Sequence, residues 1–277
     1  DLLQYKTCNL DCVYCELGRT VCLTACRGRF VPRDKVVREI ERRRNEPFDY
    51  LTFAGSGEPT LSLDLGEVVS RAKQIVDSPV AVITNSTLLT SPAVRKEVAA
   101  ADVVLPSLDA ASQEAFMAIN RPARGLFAEE MIQGLKDFRR EYSGEIWLEV
   151  MLVEGINDHE AERIARAAEA IDPDRIQLNT VVRTPAEPVE PLSQEEMHRM
   201  REIFPRAELI PDWDWSVPKA IKERMLKLLS ERELTLQEIG LHLDLAGNDA
   251  IKYCKILEKD GSISRKLYQG NLYFHAN

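Results

Sequence analysis

The sequence predicts an α/β fold: a partial, open (βα)6 barrel of the TIM type, followed by a C-terminal winged-helix domain. Two observations carry this prediction. Short apolar runs alternate with segments of helical periodicity over residues 1–210, and a different pattern follows a linker that contains two prolines. A complete barrel of eight units needs about 250 residues, so an open barrel of six units fits better.

Six short apolar runs are the predicted strands of the barrel: Leu2–Lys6, Tyr50–Ala54, Val80–Thr84, Val103–Ser107, Ile146–Leu152 and Ile176–Thr180. Helical patterns lie between or after them at residues 33–45, 64–77, 91–100, 127–141, 158–171 and 193–204. Such strands are expected where helices cover both faces of a parallel sheet, and the alternation implies right-handed crossovers. In folds of this kind the functional side chains lie where strands end and helices begin.

The segment beyond residue 210 begins with the linker Pro211–Pro218 and continues as a predicted small domain over residues 219–277. Helices are predicted there at residues 219–231, 235–243 and 246–259. Two further runs flank the pair Gln269-Gly270, which is a hairpin signal: Ser262–Tyr268 and Asn271–His275. Three helices and a hairpin in this length are winged-helix anatomy.

Charge and hydropathy limit the classes of function. The 277 residues carry a formal net charge of −9, and residues 219–277 hold ten Lys and Arg against eight Asp and Glu. This acidic balance excludes broad, charge-driven binding of nucleic acid. No apolar run approaches the roughly 20 residues that span a membrane, and no signal peptide is visible. We therefore expect a cytoplasmic protein with no membrane partner, whose native chain starts before Asp1.

Five of the six cysteines lie within nineteen residues, and three of them form the spacing Cys8-x3-Cys12-x2-Cys15 directly after the first predicted strand. Three thiolates on one loop can hold three irons of a four-iron cluster and leave the fourth iron open. The alternative is a zinc site, but zinc takes four ligands and no histidine stands nearby. The remaining Cys254 is interpreted as a core residue of the tail.

This spacing is the hallmark of the radical S-adenosylmethionine superfamily, and the stretch Tyr5–Gly18 resembles its subgroup of iron–sulfur oxidoreductases related to the wyosine-tRNA synthases. The resemblance implies a [4Fe-4S] cluster on Cys8, Cys12 and Cys15, with S-adenosylmethionine chelated to the open iron. It implies reductive cleavage of that cofactor to a 5′-deoxyadenosyl radical, which abstracts hydrogen from a substrate. It also implies an electron donor of the flavodoxin or ferredoxin type.

The second predicted strand ends in Ser56-Gly57-Glu58, which is similar to the Gly-Gly-Glu stretch with which the family holds the methionine amino group. The first glycine of that stretch is replaced here by serine. The glycine lets the backbone approach a ligand closely, and Glu58 offers a carboxylate at the barrel mouth. Taken alone, the segment reads as an ordinary turn from strand to helix.

Further cofactor-binding candidates end the third and fourth predicted strands: Asn85, Ser107 and Asp109. The resemblance places contacts to the ribose or to the methionine carboxylate at both positions, although helix capping explains the same residue types. Arg121 is a candidate for bidentate pairing with a carboxylate, and a solvated surface arginine is the alternative. Individually weaker candidates for the barrel mouth follow the last strands: Asn157, Asp158, Gln177, Asn179 and Arg183.

Cys22 and Cys26 lie in the same long loop but outside the motif, and three interpretations are open. They are reduced bystanders, a redox pair or partial auxiliary site, or catalytic hydrogen-atom donors.

For the whole chain, the leading hypothesis is a radical enzyme that acts on an RNA nucleoside, a peptide or a small metabolite. RNA or peptide would be bound through the winged helix, whose third helix carries three lysines at helical spacing: Lys252, Lys255 and Lys259. The rival hypothesis is an iron–sulfur sensor fused to a winged-helix regulatory domain.

Overall fold

The computed structural model describes residues 1–183, 185–210, 217–245, 247–268 and 271–277. The chain divides into two compact units, Asp1–Ile210 and Pro211–Asn277, and each has its own apolar core. In the described residues, every helix is too short or too polar to cross a bilayer.

The first unit alternates strands and helices over most of its length. The described part contains, in order, β1 (Thr7–Cys8), β2 (Cys22–Leu23), α1 (Arg33–Arg43), β3 (Leu51–Phe53), α2 (Leu65–Ile75), β4 (Val80–Thr84), α3 (Pro92–Val98), β5 (Val103–Pro106), α4 (Gln113–Ile119), α5 (Ala128–Glu141), β6 (Glu145–Leu152), α6 (Ala161–Ile171), β7 (Arg175–Thr180), α7 (Gln194–Ile203) and β8 (Ala207–Leu209). Short 3-10 helices cover Pro59–Leu61, Thr87–Thr90 and Asp158–Glu160.

Strands β3 to β8 form a six-stranded parallel sheet in sequence order. This arrangement confirms the predicted α/β fold and is consistent with a partial TIM-type barrel. The membership of the sheet differs from the prediction at both ends. The stretch Leu2–Lys6 is not a strand of the sheet, and Ala207–Leu209, which pairs with β7, takes the sixth place.

The physical reason lies in the backbone at Lys6. Lys6 has a left-handed φ of 55°, which interrupts an extended run before β1 begins. The apolar side chains of Leu2 and Leu3 are buried, but they are buried outside the sheet. Periodicity does not distinguish a short buried loop from a buried strand of the same length.

Strands β6 and β7 alternate strictly. On β6, Ile146, Leu148, Val150 and Leu152 are fully buried in the core that includes the surrounding helices, and each such side chain contributes about 1.5–3 kcal/mol of hydrophobic stabilisation. The residues between them, such as Glu149 and Met151, are partly exposed on the opposite face. On β7, Gln177 and Asn179 occupy that same face. It follows that this face, the interior of the open barrel, is polar at β7 and mixed at β6, where Glu149 stands next to Met151.

Aromatic side chains cover the amino end of the interior face. Trp147 of β6 makes an edge contact with Tyr50, which precedes β3, at 5.7 Å between ring centroids. The Arg175 guanidinium carbon lies 4.6 Å from the centroid of the Trp147 ring. Because β3 and β6 are separated by two strands, these side chains lean across the interior.

The second unit has the element order α8 (Lys219–Glu231), β9 (Leu234–Thr235), α9 (Leu236–Leu243), α10 (Gly247–Lys259), β10 (Ile263–Tyr268) and β11 (Asn271–Ala276). β10 and β11 pair antiparallel, and β9 pairs with the other edge of β11. Cys254 is buried in the core of this unit, as predicted. Most of the predicted linker and the turn Gln269-Gly270 lie outside the described residues.

Candidate cluster and cofactor site

The loop that carries the three predicted cluster ligands is fixed at several points along its backbone. Asp11 and Val13 donate backbone hydrogen bonds to the carbonyls of Asn120 and Ile119, each at 2.9 Å. The Ala123 amide donates in turn to the carbonyl of Asn9 at 2.9 Å. These hydrogen bonds attach the loop to the C-terminal end of α4 and fix the positions of its cysteines.

Each of the three sulfur atoms accepts a hydrogen bond from the chain. The Lys6 ammonium donates to Cys15 Sγ at 2.9 Å, and Asn120 Nδ2 donates to Cys12 Sγ at 3.3 Å. The Leu10 amide donates to Cys8 Sγ at 3.4 Å. Such donors stabilise negative charge on sulfur, as they do around iron–sulfur clusters, so the donor set fits a cluster held by three thiolates.

Burial has the opposite effect on the free thiols. It raises the pKa of Cys8 to about 11 and raises the pKa of Cys12 further, so without a metal both sulfurs are protonated at neutral pH. Within the described residues, no three His, Cys, Asp or Glu side chains are placed to hold a single metal ion. In a four-iron cluster each thiolate binds a different iron.

Gly57 brings the second motif against the cysteine loop. Thr7 and Gly57 form an isolated parallel bridge, and the Glu58 amide donates to the Thr7 carbonyl at 3.2 Å. A Cβ atom at residue 57 would lie 1.7 Å from the Thr7 carbonyl oxygen, so only glycine fits there. The predicted motifs at residues 8–15 and 56–58 are thus neighbours in space.

The Glu58 carboxylate is buried and is held by the chain itself. Its Oε1 accepts hydrogen bonds from the Thr60 amide at 3.1 Å, the Thr60 hydroxyl at 2.6 Å and the Thr84 hydroxyl at 2.6 Å. Its Oε2 accepts from the Asn85 amide at 2.7 Å. Burial raises the pKa of Glu58, and these donors partly offset the rise. Glu58 therefore joins the 3-10 helix Pro59–Leu61 to the end of β4.

Asn85 belongs to a closed ring of three hydrogen bonds. Its Nδ2 donates to Asn9 Oδ1 at 2.6 Å, Asn9 Nδ2 donates to the Thr87 hydroxyl at 2.7 Å, and that hydroxyl donates to Asn85 Oδ1 at 2.7 Å. Asn85 Nδ2 also lies 3.7 Å from Cys8 Sγ. The ring fixes the orientation of the Asn85 amide beside a predicted cluster ligand.

Asp109 is a second buried carboxylate with several partners. Its Oδ2 accepts from the Tyr14 hydroxyl at 2.6 Å and from Asn120 Nδ2 at 2.8 Å, and its Oδ1 accepts from the Met151 amide at 3.0 Å. Burial raises its pKa, against the effect of these donors. Asp109 thereby connects the cysteine loop, α4 and β6.

Ser107 and Arg121 have different surroundings. Ser107 is half-buried and forms a parallel bridge with Glu149, so its side chain lies on the interior face beside β6. Arg121 has a φ of 46°, and its Nη1 pairs with Glu187 Oε1 at 3.1 Å. Arg121 thus follows the cluster contact Asn120 in sequence, but its guanidinium is engaged with Glu187.

Cys22 and Cys26 are free and exposed. Cys22 lies in β2, where it pairs with Thr7, one residue before the first predicted ligand. No contact in the described residues joins the two thiols to each other or to the predicted ligands.

Of the weaker candidates, Asn157 is wrong as a residue of the barrel mouth. It is fully buried, and its Nδ2 donates to the carbonyls of Asp109 and Met151, each at 2.7 Å. Asn179 donates to Glu149 Oε1 at 3.1 Å, and Arg183 pairs with Glu16. Asn179 and Arg183 do line the interior or its rim.

Sequence reasoning missed several residues that contact the candidate site: Lys6, Asn9, Tyr14, Asn120 and Glu149. Lys6 belongs to a stretch with the pattern of a strand, and Asn120 stands next to Arg121, whose charge is the stronger signal in the sequence. The signal for Glu149 was present, because a glutamate in an alternating strand points away from the core.

Comparison with known proteins gives a consistent result. The sequence profile of the radical SAM superfamily matches residues 3–168. The chain is 33% identical over 293 residues to a protein named GTPase Obg from Brachyspira hyodysenteriae, covering all of this chain and 43% of that protein. It is 36% identical over 189 residues to a UPF0026 protein from Methanocaldococcus jannaschii, covering 66% of this chain and 58% of that protein. The chain thus spans about half the length of these two relatives.

Solved structures show the same fold at low identity. A radical SAM methyltransferase from Sphaerobacter thermophilus has a TM-score of 0.54 and 20% identity, covering 73% of this chain and 62% of that one. An FeFe-hydrogenase maturase from Carboxydothermus hydrogenoformans has a TM-score of 0.55 and 11% identity, covering 75% of this chain and 52% of that one. At these identities the likeness concerns the fold alone.

Proposed function

We propose, from the premise that the chain belongs to the radical SAM superfamily and uses a [4Fe-4S] cluster with S-adenosylmethionine, that Cys8, Cys12 and Cys15 hold the cluster. When bound, the cluster and its cofactor supply reductive cleavage of a carbon–sulfur bond and, through it, abstraction of hydrogen from a substrate. The observation that supports the proposal most is that each of the three sulfurs accepts a hydrogen bond from the chain.

Different side chains contribute to binding of the cluster and of S-adenosylmethionine. The Lys6 ammonium offsets negative charge at Cys15. Asn120 Nδ2 donates to both Cys12 Sγ and Asp109 Oδ2 and so fixes the position of the Cys12 sulfur. Gly57 keeps the second motif in contact with the cysteine loop. Oε2 of Glu58 accepts one hydrogen bond from the chain, which leaves acceptor capacity for the amino group of S-adenosylmethionine.

The interior face offers the remaining contacts. We assign contact with the ribose or the methionine carboxylate to Asn85, Ser107 and Asp109, with Arg121 as a further carboxylate partner. Glu149 joins this set because it lies beside Ser107 and accepts one hydrogen bond among the described residues.

We propose no reaction subclass, and we name the substrate only by its class: an RNA nucleoside, a peptide or a small metabolite. We propose domains at residues 1–210 and 219–277, joined by the linker 211–218. The order helix, strand, two helices and hairpin in the second unit supports the proposal of a winged helix there. We assign it to docking of RNA or peptide. Of the three lysines, the side chains of Lys252 and Lys259 lie outside the described residues. A cytoplasmic location and kinship with the wyosine-tRNA synthases stay predictions.

The test is anaerobic reconstitution of the full chain with iron and sulfide, followed by reduction with dithionite and addition of S-adenosylmethionine. We expect 5′-deoxyadenosine and methionine in equal amounts. A reconstituted protein that binds a cluster but forms no 5′-deoxyadenosine would favour the rival hypothesis of an iron–sulfur sensor.

Deletion of residues 219–277 tests the assigned role of the second unit. Because every proposed cofactor contact lies before residue 211, the truncated protein should keep its iron and its uncoupled formation of 5′-deoxyadenosine. Turnover of the true substrate should collapse. Full substrate turnover by the truncated protein would contradict docking, and loss of the cluster would indicate that the tail supports the barrel.

A further inference from the structure

We propose that the carboxylate of Glu187 is an internal competitor of S-adenosylmethionine: it pairs with Arg121 and is displaced when the methionine carboxylate binds there. Displacement releases residues 185–191, which we call the strap, from the cysteine loop. The inference rests on the proposed function, because it takes Arg121 as a partner of the methionine carboxylate. It adds a coupling between binding of the cofactor and opening of the site.

The strap is attached to the sheet at its C-terminal end. Pro191 forms an isolated antiparallel bridge with Val153, which directly follows β6. The next residue, Leu192, is buried, and its amide donates to the Thr180 hydroxyl at the end of β7 at 2.9 Å. This end of the strap is therefore fixed to the carboxyl ends of β6 and β7.

The other end of the strap lies on the cysteine loop. The Glu187 amide donates to the carbonyl of Val13 at 3.0 Å. Just before the strap, Arg183 forms an ion pair with Glu16. Val13 and Glu16 each directly follow a predicted cluster ligand in the sequence. The strap therefore docks beside two of the three proposed ligands.

The side chain of Glu187 brings two arginines together. Its Oε1 accepts a hydrogen bond from Arg121 Nη1 at 3.1 Å and also pairs with Arg19 Nη2. The side chains of Arg121 and Arg19 are 36% and 62% exposed, against 22% for Glu187. Ion pairs that water reaches contribute little to stability. Glu187 can therefore be replaced by another carboxylate with little loss of stability.

Arg121 has donors left for a second carboxylate. In the part of the chain that the structure describes, its guanidinium meets Glu187 through Nη1 and a single oxygen. A guanidinium binds a carboxylate more strongly through two parallel hydrogen bonds. Arg121 directly follows Asn120, whose Nδ2 lies 3.3 Å from Cys12 Sγ, so its backbone stands next to the proposed cluster. A ligand carboxylate that binds Arg121 through both oxygens forms the stronger pair.

Binding of the cofactor and docking of the strap oppose each other, because two carboxylates at one guanidinium repel. Linkage makes the effect reciprocal: S-adenosylmethionine loosens the strap, and loss of the charge at residue 187 strengthens binding of S-adenosylmethionine. Three prolines restrict the backbone of the strap, so its docked end is expected to leave as a unit: Pro185, Pro188 and Pro191. Release opens the interior face at β6 and β7 to a substrate once the cofactor is bound.

The experiment compares Glu187→Gln with Glu190→Gln, which makes the same change at an exposed carboxylate of the strap. The full-length proteins are reconstituted with the cluster and kept without reductant, so that S-adenosylmethionine is bound but not cleaved. Calorimetry measures affinity for S-adenosylmethionine and for decarboxylated S-adenosylmethionine, which lacks the competing group. Hydrogen–deuterium exchange of the peptide over residues 185–191 reports docking, because the Glu187 amide donates to Val13.

We expect Glu187→Gln to bind S-adenosylmethionine at least about fivefold more tightly than the unaltered chain, and Glu190→Gln to bind it equally. Decarboxylated S-adenosylmethionine should bind Glu187→Gln no more tightly than the unaltered chain. In the unaltered chain, S-adenosylmethionine should speed exchange in the strap, and the decarboxylated ligand should not.

Equal or weaker affinity of Glu187→Gln for S-adenosylmethionine would overturn the proposal. Unchanged or slower exchange in the strap on addition of S-adenosylmethionine would overturn it as well, since the strap would then stay docked or close over the cofactor. If Glu187→Gln loses iron, the exchange measurement on the unaltered chain decides. Failure of the proposed function looks different: none of the three reconstituted proteins binds S-adenosylmethionine, and both proposals fall.

Discussion

The fold uses its buried carboxylates in two different ways. Beside the cysteine loop, Glu58 accepts four hydrogen bonds from the chain and Asp109 accepts three. On β6, the half-buried Glu149 accepts one, from Asn179. The donors of the chain fix the orientation of Glu58 and Asp109 and leave acceptor capacity on Oε2 of Glu58, whereas Glu149 keeps most of its acceptor capacity for a ligand. The cysteine-loop side is thus preformed, and the β6–β7 side is open.

The largest effect is expected at the three cysteines proposed to hold the cluster. Changing Cys8, Cys12 and Cys15 together to alanine should abolish cluster iron, because no other ligands replace the thiolates. Iron analysis and visible absorbance of anaerobically purified protein measure this, and Cys254→Ala should keep its iron. A triple variant with full iron content would refute the assignment and direct attention to Cys22 and Cys26.

Glu58→Ala should weaken binding of S-adenosylmethionine about ten- to a hundredfold, which corresponds to a lost charge-assisted hydrogen bond of ~1.5–3 kcal/mol. It also leaves the donors on Thr60, Thr84 and Asn85 without their acceptor, so we expect lower stability in the same variant. Calorimetry and urea unfolding separate the two effects, and Glu46→Ala at an exposed position is the control. Unchanged affinity would exclude Glu58 from cofactor binding.

Asp109→Asn should lower the free energy of unfolding by about 1–3 kcal/mol, since an amide nitrogen cannot accept the hydrogen bonds of Tyr14 and Asn120. Urea unfolding of the iron-free protein measures it. Glu149→Gln is the matched change on the open side and should cost much less. If the two variants lost equal stability, the contrast between a preformed side and an open side would not hold.

The smallest effect concerns pH. Burial raises the pKa of Glu149, with Asn179 lowering it, Asp109 raising it and Arg183 lowering it. Stability linked to the protonated carboxyl is present below the unfolded pKa of about 4.3 and is lost as pH rises through the folded pKa. Glu149→Gln removes this loss, so its urea midpoint should gain on the unaltered chain as the pH rises above about 4.3. A difference that does not change with pH would contradict the prediction.

Short-range sequence patterns were sufficient to predict part of the fold and the superfamily. The spacing of Cys8, Cys12 and Cys15 is a local signal, and the superfamily it indicated is confirmed by the family profile. Strands β4 to β7 are regular apolar runs with clear ends, and their positions were predicted closely. β8 was missed because Ala207–Leu209 has a glutamate at its centre and so forms no apolar run.

The contacts that orient the site could not be predicted in this way. Asn120 reaches Cys12 across 108 positions and Asn9 reaches Thr87 across 78, and only the packed barrel brings them together. The burial of Glu58 and Asp109 is likewise a property of the assembled sheet. The sequence indicated which residue types stand at strand ends. Whether each carboxylate accepts hydrogen bonds from the chain depends on its tertiary neighbours.

The buried ammonium of Lys6 also has an electrochemical consequence. A positive charge 2.9 Å from Cys15 Sγ favours the more negative, reduced form of whatever iron that sulfur binds. With the cluster on Cys15 as proposed, Lys6 would raise its midpoint potential and would bring it within reach of weaker biological reductants. The residue that interrupts the apparent first strand with its left-handed backbone would thus also influence the potential at which the protein accepts an electron.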